Sequence, residues 1–280
     1  MSTIELASAA WGFRKVDHRT YFEICATAGL KSAEIHAPGM VDRHLRRDEL
    51  DADLTALQTI SATTGVQPLA IASGQSFLNP DATVLEQEIE STVRIIELAK
   101  KIGARYIRVF AGGHHLEDAP TEIFDRLHYA LSKAGAAAED MGVQLVVENH
   151  GGPTLTGPRC ARLMEDINSE AVGINYDPAN FLKSGIDPLI ALHHILPWVK
   201  YTHWKDVRWD NNANGGKGET LYCALGDGQM SVGPIVRTLL EACYQGPWVI
   251  EYEDPSDIER GTVDSVKALK HHLANAAAHG

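Results

Sequence analysis

Short apolar runs alternate with longer amphipathic segments along most of the chain. Eight runs have the length and the β-branched and aromatic content of buried strands, and they lie at residues 5–10, 32–36, 68–72, 106–111, 144–148, 172–177, 199–203 and 248–252. The intervening segments carry apolar residues at helical spacing, and they predict helices at residues 21–28, 50–64, 81–102, 120–141, 158–167, 188–196, 232–242 and 264–278. This order predicts a βα repeat.

Glycines indicate where several of these helices end. Gly29, Gly65, Gly103, Gly142 and Gly246 each follow a predicted helix and precede a strand by a few residues, as left-handed helix caps do. Eight βα units predict one closed (β/α)₈ TIM barrel, a single domain over residues 1–280. A doubly wound open sheet is the alternative, but no G-x-G-x-x-G loop follows the first strand, which disfavours nucleotide binding.

The net charge and composition of the chain disfavour several kinds of binding partner. The formal net charge of −12 disfavours binding to nucleic acid or to an anionic membrane, because a polyanion requires a positive surface. No run approaches the roughly 20 apolar residues that span a bilayer. The four cysteines show no C-x-x-C pair and are predicted to be reduced thiols. The N-terminus lacks a signal-peptide pattern, so a cytoplasmic protein is expected.

Four predicted strands end in, or near, a residue that can bind a metal ion, namely Glu148, Asp177, His203 and Glu251. The carboxyl ends of barrel strands meet at one face, so these side chains are expected to converge. Three carboxylates in one place repel one another unless a cation offsets their charge. Three oxygens beside one imidazole suit Mn²⁺, Mg²⁺ or Co²⁺ better than structural zinc, and the pattern therefore predicts a divalent-metal site.

The longest interval between predicted strands separates His203 from Glu251. Residues 208–228, in its first half, are polar and rich in Asn and Gly, and they predict a long irregular loop after strand 7, over the site. Such a loop can be a lid or substrate wall, or a mobile insertion, and both alternatives stay open at this point.

Five motifs resemble those of the xylose isomerase-like superfamily of sugar phosphate isomerases and epimerases. They are V-E-N-H at 147–150, N-Y-D at 175–177, H-W-K-D at 203–206, L-G-D-G at 225–228 and I-E-Y-E at 250–253. The resemblance covers nearly the whole predicted barrel and implies one divalent metal ion held by Glu148, Asp177, His203 and Glu251. Members include ketose 3-epimerases, hydroxypyruvate isomerases, inosose isomerases and dehydratases, and 3-dehydroshikimate dehydratases. Many are dimers or tetramers, so a homo-oligomer is a further expectation.

A metal ion in such a site polarises a carbonyl group and stabilises an enediolate. Glu148 and Glu251 are the predicted catalytic acid/base groups, because they end strands on different sides of the barrel mouth. We therefore expect a metal-dependent isomerase or epimerase whose substrate is a small keto-sugar or keto-polyol. A lyase that dehydrates an inosose or related keto-polyol is the enzymatic alternative. A non-catalytic sugar-binding barrel is the alternative from another class, and a multi-metal endonuclease is disfavoured by the absence of further clustered ligands and of a basic groove.

Histidines and one amide near these ligands are candidates for substrate binding. His36 and His150 follow strand ends and could hydrogen-bond hydroxyl groups, although a structural histidine is a close alternative for each. Asn180 stands where many ketose 3-epimerases have a substrate-contacting histidine. Its amide can hydrogen-bond a hydroxyl but cannot titrate, which weakens a ketohexose epimerase assignment.

Two cations and one acid complete the candidate site. Lys205 is expected to share the strand face of His203, where it could bind an oxyanion, or else to pair with Asp206 at the surface. Arg208 could hold a hydroxyl, carboxylate or phosphate group of the substrate. Glu34 ends the second predicted strand and is expected to support a metal ligand or to form a simple ion pair.

Overall fold

Parallel strands alternate with helices in the described residues, which are 4–113, 116, 120–211 and 218–278 of a computed structural model. The strands are β1 (Leu6–Ser8), β2 (Ser32–His36), β3 (Gln67–Ala72), β4 (Tyr106–Phe110), β5 (Gln144–Glu148), β6 (Val172–Tyr176), β7 (Val199–Trp204), β8 (Asp206–Asp210), β9 (Glu219–Cys223) and β10 (Trp248–Ile250). Eight of them close into a parallel barrel in the order β1-β10-β7-β6-β5-β4-β3-β2. The predicted (β/α)₈ barrel is confirmed.

Helices cover the outside of the barrel. They are α1 (His18–Thr27), α2 (Leu50–Thr64), α3 (Ala82–Ile102), α4 (Thr121–Met141), α5 (Gly157–Ile167), α6 (Pro178–Lys183), α7 (Pro188–Ile195), α8 (Val232–Glu241) and α9 (Ile258–Ala278). The α6 helix was not predicted. None of the described helices is both long enough and apolar enough to cross a membrane.

The predicted helix ends are confirmed at α2, α3 and α4, whose capping glycines have left-handed φ angles of 73°, 78° and 67°. The prediction for Gly246 is wrong. The left-handed residue after α8 is Cys243, with φ 57°. A Cβ atom at Gly246 would lie 2.3 Å from the carbonyl oxygen of Lys200, so this glycine permits a close backbone approach rather than a helix cap.

Buried apolar side chains form two separate clusters. The larger cluster lies between the strands and the surrounding helices, and Trp204 stacks there on Trp248 with ring centroids 5.3 Å apart. The smaller cluster lies inside the barrel and is formed by Ala7, Ala9, Leu69, Ala70, Val146, Tyr201 and Val249. We call this second cluster the apolar interior layer. The barrel is therefore packed below the ends of its strands, as in other parallel barrels of eight strands.

The segment that follows β7 contains regular structure that the sequence did not predict. In place of an irregular loop, β8 and β9 form an antiparallel hairpin, with Asp206 opposite Cys223 and Asp210 opposite Glu219. Residues 212–217 of the predicted loop lie outside the described residues. The hairpin is anchored by the buried Asp206 carboxylate, which accepts backbone N–H groups of Gly226, Gly228 and Met230 at 3.0–3.1 Å. These bonds hold the turn at residues 225–228, which is therefore a structural turn.

Candidate metal centre

The alternation of side chains along each strand brings the four predicted metal ligands to one point. Glu148 and His203 lie two residues beyond Val146 and Tyr201 of the apolar interior layer, and so point into the barrel. Glu251 stands in the same relation to Val249, and Asp177 directly follows β6. One ligand atom from each of the four residues lies within 4.8 Å of the others, and all four residues are buried.

The imidazole of His203 lies between carboxylates on both sides. Its Nδ1 atom is 3.4 Å from Glu251 Oε2 and 3.8 Å from Glu148 Oε1, and its Nε2 atom is 3.3 Å from Glu34 Oε2. Burial lowers the pKa of His203, but the charges of Glu251 and Glu34 outweigh it and raise the pKa well above its ordinary value. Glu34 thus lies beside a candidate metal ligand, a position that fits both roles expected for it.

Glu148 is held by a cation and an amide. Arg108 Nε lies 3.2 Å from Glu148 Oε2, and the Asn180 side chain donates a hydrogen bond of 3.0 Å to Glu148 Oε1. Burial raises the pKa of Glu148, but Arg108 and His203 more than offset this and lower it to about 2. The carboxylate is therefore ionised at neutral pH and fixed in orientation.

Asp177 begins α6 and faces the cluster at the same time. Its Oδ1 atom accepts the backbone N–H of Asn180 at 3.1 Å, which caps the helix, while Asn149 pairs with its backbone N–H and C=O at 2.7 and 2.8 Å. Burial raises the pKa of Asp177 to about 6, although Lys205 acts in the opposite direction. One carboxylate oxygen is thus used by the fold, and the other, Oδ2, points to the cluster.

Lys205 brings a buried positive charge to three carboxylates. Its Nζ atom lies 2.6 Å from Glu251 Oε2, 2.7 Å from Glu253 Oε1 and 2.9 Å from Asp177 Oδ2. Burial lowers the pKa of Lys205, but these carboxylates raise it well above its ordinary value. The predicted alternative, a surface pair with Asp206, is wrong, because Lys205 is buried and its ammonium contacts these three carboxylates instead.

The donor set of the cluster fits a divalent metal ion. His203 Nδ1 is buried and has no hydrogen-bond partner among the described residues, although it faces two carboxylates. Its other nitrogen is oriented by Glu34, an arrangement in which a carboxylate fixes a metal-binding histidine. Three carboxylates and one imidazole form a mixed oxygen and nitrogen set that suits Mg²⁺, Mn²⁺ or Co²⁺.

The cluster opens into a cavity of about 540 Å³ at the carboxyl ends of the strands. Glu148 and Glu251 line it, together with the cations Arg108, Lys183 and Lys205. The hairpin contributes Tyr222, whose hydroxyl accepts a hydrogen bond of 2.9 Å from Lys183 Nζ, and other walls come from Trp11, Phe110, His150 and Glu253. The volume is in the range of small-molecule sites.

Of the five predicted substrate-binding residues, two line the cavity and three do not. Lys205 and His150 line the cavity. Asn180 is directed to Glu148. His36 is fully buried outside the cavity lining, with its Nδ1 atom 2.7 Å from Nδ1 of His44, and Arg208 is exposed on β8. The structure thus does not bring His36 or Arg208 to the cavity wall.

Sequence reasoning missed three charged residues that line the cavity, Arg108, Lys183 and Glu253, and the sequence pattern carries a signal for two of them. Arg108 interrupts an apolar strand between Ile107 and Val109, and an arginine there is a signal of an inward-facing charge that needs a partner. Glu253 lies two residues beyond Glu251, and this spacing could have placed it on the same face.

Known proteins share this architecture. The family model described as a xylose isomerase-like TIM barrel matches residues 22–272. An inosose dehydratase of Bacillus cereus is 26% identical over 208 residues, which are 66% of this chain and 70% of that protein, and further inosose dehydratases align at 25–27% identity.

Solved structures with lower identity have the same fold. A xylose isomerase-like TIM barrel protein from Mycobacterium smegmatis, solved with magnesium, superposes with a TM-score of 0.77 at 19% identity and covers 98% of each chain. An L-ribulose 3-epimerase superposes with a TM-score of 0.78 at 17% identity, over 99% of this chain and 97% of that one. With its barrel and the family model that matches 251 consecutive residue positions, from 22 to 272, the chain belongs to the xylose isomerase-like TIM-barrel family.

Proposed function

We propose that this protein is a divalent-metal-dependent dehydratase, which removes a proton next to the carbonyl of a small polyhydroxylated ketone and then eliminates water. The observation that carries the proposal is the buried group of Glu148, Asp177, His203 and Glu251 at the floor of a cavity, with the Lys205 ammonium 2.6 Å from Glu251. When bound by these four residues, a divalent ion supplies Lewis-acid polarisation of the substrate carbonyl.

Glu148 and Glu251 are the groups suited to accept the carbon-bound proton. The pKa of each is below its ordinary value, because burial is outweighed by Arg108 at Glu148 and by His203 and Lys205 at Glu251. Both carboxylates are therefore ionised at neutral pH and line the cavity. General base catalysis by a positioned carboxylate accelerates proton transfer by about 10²- to 10⁴-fold.

Elimination also requires a proton for the departing hydroxyl. The C–H electron pair forms the new C=C bond, the C–O bond breaks, and the glutamate that accepted the proton returns it to the leaving oxygen, which departs as water. Lys205 keeps its proton, since its pKa is raised, and acts as a hydrogen-bond donor to that oxygen. His150, on the cavity wall, is a second polar group within this space.

Two observations support our preference for dehydration over isomerisation. The curated relatives reported above are inosose dehydratases, so an inosose or a related keto-polyol is the proposed substrate. Lys205 also provides a buried cation beside Glu251, which is able to donate a hydrogen bond to a departing hydroxyl group. These observations reverse the order of preference that the sequence motifs favoured.

Isomerisation or epimerisation is the second candidate. The observation that favours it is the position of Glu148 and Glu251 at the ends of β5 and β10, which β6 and β7 separate in the barrel. Two carboxylates on different sides of a substrate can remove a proton from one face and return one to the other.

Solvent-deuterium exchange combined with ultraviolet absorbance tests the proposal. Metal-stripped protein is loaded with Mn²⁺ or Mg²⁺ and incubated in D₂O with inososes, ketohexoses, ketopentoses and hydroxypyruvate. We expect exchange next to the carbonyl of an inosose and an absorbing, conjugated product. An isomer without absorbance supports the second candidate, and no exchange in any mixture, with metal bound, contradicts both.

Two glutamate-to-glutamine variants, one in the site and one outside it, test whether the reaction takes place at this site. Glu251→Gln is expected to abolish exchange and product formation, whereas Glu259→Gln, an exposed position on α9, leaves both unchanged. If the protein is a non-catalytic sugar-binding barrel, neither variant changes sugar binding and no exchange occurs with the unaltered chain.

A further inference from the structure

The ammonium of Lys205 contacts two carboxylates of the candidate metal centre. It contacts Asp177 Oδ2 and Glu251 Oε2 at 2.9 and 2.6 Å, and both residues belong to the candidate metal-binding group. The positive charge of the ammonium lies directly against an oxygen of each carboxylate, in the space where a metal ion bound to that oxygen would have to approach. Lys205 and a divalent cation therefore compete for the same two residues, and they also repel each other.

Glu253 is the carboxylate in this contact set that is not part of the metal-binding group. Its Oε1 atom accepts a hydrogen bond of 2.7 Å from Lys205 Nζ, and its side chain is buried beside the cavity. Among the described residues, Lys205 is the cation with which Glu253 forms an ion pair. A glutamate buried with one cationic partner is well placed to keep that partner in the site.

We propose that Lys205 is a built-in counter-ion of the metal-free site and that Glu253 is the positioning residue that retains its ammonium when a metal ion binds. The ammonium neutralises part of the charge on Asp177 and Glu251. Metal binding displaces it from these two carboxylates, and the pair with Glu253 keeps it buried at the edge of the cavity. This inference rests on the metal site of the proposed function and adds two residues that control its affinity.

Substitutions of Lys205 and of Glu253 are expected to change the affinity for metal in opposite directions. Without Lys205, the metal ion has no competitor and the metal-free carboxylates have lost their cation, so the affinity for metal increases. Without the Glu253 charge, the ammonium binds Asp177 and Glu251 more firmly, so the affinity decreases. Substitutions around metal-binding residues change affinity by about 10- to 100-fold, which sets the expected scale.

The test is a titration of metal-stripped protein with Mn²⁺, followed by electron paramagnetic resonance. We expect Lys205→Met to lower the Mn²⁺ dissociation constant by about tenfold and Glu253→Gln to raise it by about tenfold. Lys183→Met is the matched control, because Lys183 also lines the cavity but bonds to the Tyr222 hydroxyl, and its Mn²⁺ affinity should stay within about twofold of the original.

A double variant separates this mechanism from a general effect of charge. If Glu253 acts through Lys205, Glu253→Gln has little effect when Lys205 is already methionine. Equal effects in both backgrounds would contradict the mechanism, as would an unchanged or weaker Mn²⁺ affinity in Lys205→Met. If Lys205→Met does not fold, Lys205→Gln replaces it in the cycle.

A measurement on the unaltered protein completes the test. The ¹⁵N-labelled ammonium resonance of Lys205 is expected to shift when Mg²⁺ is added, because its contacts with Asp177 and Glu251 change; a resonance that does not move overturns the inference. If the unaltered protein and Lys183→Met bind no Mn²⁺ at all, the metal site and the proposed function fail together. If both bind one ion and the Lys205 and Glu253 variants behave like Lys183→Met, the inference alone fails.

Discussion

Two layers of side chains inside the barrel, one apolar and one charged, lie only two residues apart along the same strands. Val146, Tyr201 and Val249 belong to the apolar interior layer, whereas Glu148, His203 and Glu251, two residues further on, belong to the candidate metal centre. The backbone geometry of the two layers is similar, because both lie on the inward face of parallel strands. Their difference lies in the side chains.

The two layers contribute to the free energy of folding with different signs. Burial of apolar surface in the lower layer stabilises the fold by roughly 25 cal/mol per Å². Burial of ionised groups in the upper layer is unfavourable unless each is paired, and Arg108 and Lys205 supply only part of the opposing charge. The lower layer therefore stabilises the barrel, while the upper layer concentrates buried negative charge that a bound cation would offset.

Removal of one charge from the upper layer is expected to give the largest change in activity. Glu251→Gln should lower the rate of deuterium exchange by about 10²- to 10⁴-fold, because the amide cannot accept a proton. Its midpoint of thermal unfolding should fall little, since the side-chain volume is unchanged. Exchange kinetics and differential scanning calorimetry give the two values, and a rate close to that of the unaltered protein would remove Glu251 from the proposed mechanism.

Removal of the cation that supports Glu148 should reduce stability strongly. Arg108→Met leaves a buried carboxylate without its ion pair, which lowers the free energy of unfolding by about 3–5 kcal/mol. Arg94→Met, which breaks an exposed pair with Glu90 at 3.7 Å, should change it by less than about 1 kcal/mol. Urea unfolding of both variants, with metal removed, provides the comparison; equal effects would show that burial of the Arg108 pair has no special importance.

A cavity in the lower layer should affect stability without affecting metal binding. Leu69→Ala removes a buried side chain of the apolar interior layer and is expected to lower the free energy of unfolding by about 2–5 kcal/mol. Its Mn²⁺ dissociation constant should match that of the unaltered protein. A matched loss of stability and of metal affinity would contradict the division of roles between the layers.

The affinity for metal should decrease in acid. Burial raises the pKa of Asp177 to about 6, so below this pH the carboxylate increasingly carries a proton that the metal ion must displace. His203, whose pKa is raised by Glu251 and Glu34 against the effect of burial, adds a second competing proton. We expect Mn²⁺ affinity to fall by at least about tenfold from pH 7 to pH 5, measured by titration in matched buffers. A constant affinity over this range would contradict the burial of Asp177 as described.

The parts of the molecule that were predicted from sequence are those governed by local pattern. Buried parallel strands produce continuous apolar runs, and a charged residue at the end of such a run, as in Glu148, is visible without a structure. Contacts between segments that are far apart in the sequence could not be predicted from it. Lys205 and Glu253 meet across neighbouring strands although 48 positions separate them, and the β8–β9 hairpin depends on the pairing of Asp206–Asp210 with Glu219–Cys223 and on hydrogen bonds to the buried Asp206 carboxylate.

Mn²⁺ binding to metal-stripped protein tests the central claim most directly. Titration followed by electron paramagnetic resonance should show one ion per chain, and Asp177→Ala and His203→Ala should each weaken its binding by at least about 100-fold. Leu69→Ala, in the layer below, should bind one ion with unchanged affinity. Retention of full affinity in Asp177→Ala and His203→Ala, or the absence of binding to the unaltered protein, would contradict the assignment of the upper layer as a metal centre.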